Sequence, residues 1–127
     1  MVSRKLLPLV FIGGALGTSL RYTIELFVGN LPQGQIILTS FVNLLGAALL
    51  GYVSASKLFS SLGMQGLWGV GFLGGFTTMS GLAVITAGAG LGLSAVGPIY
   101  WLLVLVQLVT GVAAYRLGLV IAGAGKK

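Results

Sequence analysis

Four long apolar runs, separated by short stretches rich in turn-forming residues, make up most of the chain. The first extends from about Leu6 to Val28, the second from about Gln35 to Ser56, the third from about Gly66 to Ala87, and the fourth from Pro98 to about Ala122. Each has about 20 residues or more, the length an α-helix needs to cross a hydrocarbon core of about 30 Å. Strands of a transmembrane barrel would be about ten residues long and would alternate in polarity, a pattern missing here. The connections carry their own signals. Gly29-Asn30-Leu31-Pro32-Gln33-Gly34 is a short turn, Lys57 to Gln65 is a polar connector with serines, and Gly88 to Gly97 is small and glycine-rich. Pro98 suits the first turn of a helix, where its missing N–H costs nothing. The expectation is an all-α integral membrane protein, one transmembrane domain over residues 1–127 with four crossing helices.

The third run differs from the others. Gly71-Phe72-Leu73-Gly74-Gly75-Phe76-Thr77-Thr78-Met79-Ser80-Gly81 brings glycines and hydroxyls into the middle of an apolar segment. Non-helical backbone at membrane depth survives only where protein buries it or where it lines a watery cavity, and ion or substrate sites are often built there. The third helix is therefore expected to be broken in its middle.

Composition narrows the function. The 127 residues are 57% hydrophobic and 6% charged, with a mean hydropathy of +1.09, against about 25% charged in a soluble domain. Seven Lys/Arg against one acidic residue give a net charge of +6, but the cations are scattered between apolar runs. A nucleic-acid binder would gather them on one face, so no nucleic-acid partner is expected. There is no cysteine and no histidine, and Glu25 is the only acidic side chain, which argues against an enzyme using acid–base or metal chemistry. Met1-Val2-Ser3-Arg4-Lys5 resembles the start of a signal peptide, but the apolar stretch after it is too long and three more follow.

Charge also orients the chain. With four crossings, Arg4, Lys5, Lys57, Lys126 and Lys127 share one side, and the two loops on the other side carry no Lys or Arg. The positive-inside rule then predicts both termini in the cytoplasm, with one fixed topology.

Several polar residues admit two readings. Arg21 and Glu25 stand one helical turn apart, so they suit either an orienting pair at the interface or a positive field at the mouth of an anion path. Thr39, Asn43 and Gly46 share a face of the second helix; Asn43 suits an interhelical hydrogen bond or a donor facing a pore. Around the break, Gly74 and Gly75 allow unusual backbone geometry. Thr77, Thr78 and Ser80 offer hydroxyls to an ion or, in the plainer reading, bond back to their own helix. Gly13 and Gly17 form a GxxxG pair suited to close helix contact. Four helices supply too little lining for a whole permeation path, which points to a dimer or larger assembly.

Gly13-Gly14-Ala15-Leu16-Gly17 with Arg21-Tyr22, Thr39 with Asn43-Leu44-Leu45-Gly46, and Gly71 through Ser80 together closely resemble the CrcB/Fluc family of fluoride channels, over essentially the whole chain. The resemblance implies a passive fluoride-selective channel that exports cytoplasmic fluoride, built as an antiparallel dimer of four-helix subunits in the bacterial plasma membrane. It implies that Asn43 faces a pore, with Arg21 near a vestibule and Thr39, Thr78 and Ser80 as polar neighbours. It also implies that backbone carbonyls of Gly74 and Thr77 hold a central Na+ shared by the two subunits.

Two departures qualify it. Where the family places phenylalanines whose ring edges line the fluoride path, this chain has Met79 and Leu82, and the polar residue expected one turn after Tyr100 is Val104. An antiparallel homodimer also needs one sequence to insert both ways, which the one-sided charge disfavours. The expectation is one subunit of a heterodimer with a paralogous partner, either conducting or a non-conducting mate. A small four-helix multidrug or metabolite exporter is a lesser alternative, since such a protein would place its carboxylate well inside the first helix and Glu25 lies late in it.

Overall fold

The computed structural model describes residues 4–31, 34–90 and 97–124. Within these the chain is all helical, with four segments long and apolar enough to cross a membrane. Helix α1 is Leu7–Val28 and α2 is Gly34–Ala55. The third crossing is composite. Leu62–Met64 is α-helical, Gln65–Leu73 winds as a π-helix and Gly74–Phe76 returns to α-helix; residues 62–76 are α3 below. The chain leaves helical geometry at Thr77 and Thr78 and restarts as α4, Met79–Gly90. The last crossing is α5, Gly97–Ala124, with Pro98 in its first turn. Pro32, the centre of the Gly88–Gly97 connection and the basic pair Lys126–Lys127 lie outside the described residues.

The third crossing begins at Leu62, earlier than Gly66, because Ser61 caps it: its hydroxyl accepts from the Met64 N–H at 3.2 Å. The connector shrinks to a single 3-10 turn, Lys57–Phe59, capped by the Ser56 hydroxyl. The bend itself falls on the threonines. Thr77 is extended at φ −79°, ψ 157°, whereas Gly74 keeps ordinary helical angles of φ −64°, ψ −35°. Of the glycines before the bend, Gly71 and Gly75 pack against α1 whereas Gly74 faces open space, and the change of direction is made by residues whose side chains can replace the lost backbone bonds.

Lipid tails are as apolar as leucine, so these helices associate by close packing. Glycine makes that possible on two seams. A Cβ on Gly13 would strike the Leu67 carbonyl oxygen, and one on Gly17 the Phe72 carbonyl oxygen; from the other side, one on Gly71 would lie 2.7 Å from the Val10 carbonyl oxygen. The expected GxxxG contact is thus the α1–α3 seam. Gly51 and Gly118 do the same for α2 and α5, meeting the carbonyls of Tyr115 and Ala48. Between the two seams lies a small core of Leu38, Val42 and Phe76, with Ile24 and Val28 against it. The bend sits at its edge.

Candidate functional site

Breaking a helix inside a membrane strands backbone donors and acceptors that lipid cannot satisfy. Here Asn43 of α2 meets them. Its Oδ1 accepts from the Thr78 N–H at 2.8 Å and its Nδ2 donates to the Thr78 carbonyl at 3.0 Å. The amide imitates a peptide group and clamps the bend to α2. Gly46, one turn further along α2, clears the space, since a Cβ there would overlap the Thr77 methyl.

The threonines supply further bonds. Thr77 turns back on its own helix, its hydroxyl donating to the Leu73 carbonyl at 2.9 Å beside its N–H at 3.0 Å. Thr78 caps α4: its Oγ1 accepts from the Gly81 N–H at 3.0 Å and shares a 3.0 Å hydrogen bond with the Ser80 hydroxyl. These bonds have a consequence for two carbonyls. In a continuous helix the Gly74 carbonyl would receive the Thr78 N–H, and the Thr77 carbonyl the Gly81 N–H. Both donors are directed elsewhere, to Asn43 and to the Thr78 hydroxyl.

Cavities lie on both sides of the bend. One, of about 300 Å³, is lined by Arg21, Glu25, Gln35, Thr39, Thr78 and Ser80 among others. Thr39 and Thr78 are buried there at 3% and 9% exposure. The Nε–H of Arg21 is buried without a partner. No ion pair joins Arg21 to Glu25 among the described residues; Glu25 Oε1 instead accepts from Gln35 Nε2 at 3.1 Å. Of the two readings of this spacing, the orienting pair is not formed among the described residues, and Glu25 makes a contact between α1 and α2 in its place. The second cavity is an open cleft of about 570 Å³ between α2, α3, α4 and α5, and Asn43, Gly74, Thr77, Met79, Leu82 and Gln107 contribute to it. Leu82 is buried at 6% exposure, whereas Met79 is 61% exposed.

The residues singled out from sequence thus fall into two groups joined at the bend. Arg21, Thr39, Thr78 and Ser80 meet in the smaller cavity, and Asn43, Gly74, Thr77, Met79 and Leu82 meet in the cleft. Asn43 adopts the interhelical role, and its amide still faces the cleft. Sequence reasoning missed Gln35, which follows directly on a turn. It also gave Gln107 no role, although an amide in the middle of an apolar helix was a signal. Gln107 Nε2 donates to the Ser40 hydroxyl across the α2–α5 seam, and its Oε1 is buried without a partner.

Comparison with known proteins identifies the family. Residues 8–119 match the family described as CrcB-like protein, Camphor Resistance (CrcB). The chain is 33% identical to "Fluoride-specific ion channel FluC 2" of Leifsonia xyli subsp. xyli over 127 aligned residues, covering 91% of this chain and 82% of that protein. It is 41% identical to "Fluoride-specific ion channel FluC" of a Caulobacter species over 90 residues, 64% of this chain and 67% of the relative. With "Fluoride-specific ion channel FluC 2" of Corynebacterium jeikeium it shares 37% identity over 94 residues, spanning 59% of this chain and 55% of that protein's length. With its family match running from the first helix into the last, this four-helix membrane protein belongs to the CrcB-like family.

Proposed function

We propose that the chain is a subunit of a fluoride channel that lets cytoplasmic fluoride leave the bacterial cell passively across the plasma membrane. The observation that carries the reading is the bend at Thr77–Thr78, where hydroxyls, an amide and a guanidinium gather at membrane depth around two cavities. Fluoride gives up its hydration water only where other donors replace it. Arg21, Thr39, Thr78 and Ser80 are the donors of the smaller cavity. On the cleft side Asn43 keeps one amide N–H beyond the one given to Thr78. Met79 and Leu82 complete that stretch of the path with apolar surface.

A structural Na+ fits the same bend. The Thr78 and Gly81 N–H groups that a continuous helix would give to the Gly74 and Thr77 carbonyls go elsewhere, and a Cβ on Gly74 would meet nothing within 4 Å. Backbone carbonyls suit a hard monovalent cation, and two from each of two subunits would make a shell neither completes alone. The ion would supply a fixed positive charge to an assembly that handles anions. This part of the reading requires an antiparallel dimer.

The partner is proposed to be a paralogous subunit of opposite orientation. Arg4, Lys5, Lys57, Lys126 and Lys127 all belong to one side, which holds this chain with its termini in the cytoplasm. A second reading, a non-conducting mate that scaffolds its partner's pore, is favoured by Met79 and Leu82, which present no aromatic ring edge to an anion.

Fluoride efflux from liposomes, measured with a fluoride electrode, separates these readings. The expected result is little efflux from the chain alone, efflux when it is reconstituted with an oppositely oriented paralogue, and dependence on Na+. Recovery of efflux by the Met79→Phe, Leu82→Phe double substitution would assign the defect to those two positions. Strong efflux from the purified single species would overturn the heterodimer, and absence of fluoride efflux from every combination would overturn the channel.

A further inference from the structure

Arg21 and Glu25 occupy the spacing at which opposite charges on a helix ordinarily meet, yet Glu25 bonds to Gln35 and the Arg21 Nε–H stays buried without a partner. Two physical reasons favour this. The order is the weaker one, with the cation N-terminal to the acid. Glu25 also lies in the last turn of α1, where exposed carbonyls repel a carboxylate and make an outside donor welcome. Gln35 sits in the first turn of α2, and the tight connection brings its amide to that helix end. No other acidic side chain exists in the chain to neutralise Arg21.

We propose that Gln35 is a positioning residue: by holding Glu25 Oε1 it keeps the Arg21 guanidinium free to bind a small anion in the 300 Å³ cavity with Thr39, Thr78 and Ser80. The proposal rests on the anion-conducting reading above. Without the Gln35 amide, Glu25 turns back onto Arg21 and occupies the donors that an entering anion needs. The bond thus sets how much of the cavity's positive charge is available; Gln35 lines the same cavity, and its part is to hold Glu25 through its Nε2.

The test is a rescue experiment in whichever preparation conducts fluoride. Gln35→Leu is expected to lower efflux about three- to fivefold, the size of a surface ion pair newly formed against the anion. Glu25→Gln alone raises efflux by removing the competing charge, and Gln35→Leu with Glu25→Gln returns to the Glu25→Gln level. Unchanged efflux in Gln35→Leu, or a double variant as poor as Gln35→Leu, would overturn the proposal. A second measurement does not depend on conduction. Arg4, Arg21 and Arg116 are the only arginines, so the Arg21 Nε–H signal in detergent NMR can be assigned by Arg21→Lys. It is expected to move on titration with sodium fluoride in the parent protein and to lose that response in Gln35→Leu. A response equal in both overturns the positioning role. Absence of efflux with an intact, Gln35-dependent NMR response would instead refute conduction alone.

Discussion

Replacing Asn43 with leucine tests the bend most directly. The substitution keeps the volume and the apolar fit but removes both bonds to Thr78, at 2.8 and 3.0 Å. It leaves one N–H and one carbonyl without partners at a residue only 9% exposed. Each stranded group costs about 1–3 kcal/mol. Some of that is recovered because leucine is more welcome in an apolar setting and Thr78 can shift. A net loss of about 2–4 kcal/mol for local opening follows, which speeds amide exchange at Thr78 roughly 30- to 700-fold at 1.4 kcal/mol per tenfold. Hydrogen–deuterium exchange in detergent, read over residues 74–82, measures it. The Gly81 amide, held by the Thr78 hydroxyl, should follow more weakly because its acceptor moves with the bend. Amides in α1 distant from the seam should not change. Thr78 exchange within a factor of three of the parent would refute the clamp, because outside the helices' own bonding both Thr78 backbone bonds among the described residues run to the Asn43 amide.

Other changes test separate elements. Gly17→Val drives a side chain into the Phe72 backbone carbonyl, which cannot rotate away; a loss of about 3 kcal/mol or more, seen as loss of the monodisperse species in size-exclusion chromatography, is expected, and Gly123→Val, where a Cβ meets nothing within 4 Å, serves as control. Thr78→Val removes the cap on the Gly81 N–H and should destabilise α4 by about 1 kcal/mol, whereas Thr78→Ser should retain it, as exchange at Gly81 will show. Gln107→Leu removes an acceptor that is buried without a partner and should leave thermal stability unchanged or higher. Ser40→Ala, which strands the Gln107 amide as well, should lower it by about 1–3 kcal/mol.

Much of the site was written in residue chemistry. The run from Gly71 to Ser80 announced a break because glycines and hydroxyls are out of place in the middle of a membrane helix. Arg21 and Asn43 stood out for the same reason, since a charge or an amide in an apolar span needs a partner. What could not be read was which partner. The choice between Arg21 and Gln35 for Glu25 depends on how the α1–α2 turn folds back, and the choice of Thr78 for Asn43 depends on the height of the bend against α2. The glycines misled on one point. Gly74 and Gly75 suggested the unusual backbone, but the bend fell at Thr77 and Thr78, because a hydroxyl or an amide is needed to replace a lost bond and glycine has neither.

By itself, then, the sequence determined that this chain crosses a membrane four times, that its third crossing is interrupted, and that its basic residues favour one side. These follow from the length of apolar runs, the cost of polar groups in lipid and the count of Lys/Arg in short loops, all of which are local. The tertiary structure decided where the interruption sits and what holds it. Only when α1 and α3 close on their glycine seam and α2 lies across the bend do Asn43 and Thr78 come within hydrogen-bonding distance. That same closure turns the Thr78 amide away from the Gly74 carbonyl, while the local Thr78 cap takes the Gly81 amide from the Thr77 carbonyl, because each N–H can satisfy one acceptor well. The sharing of donors among distant elements is a three-dimensional property, and it makes a bent helix a candidate ion site.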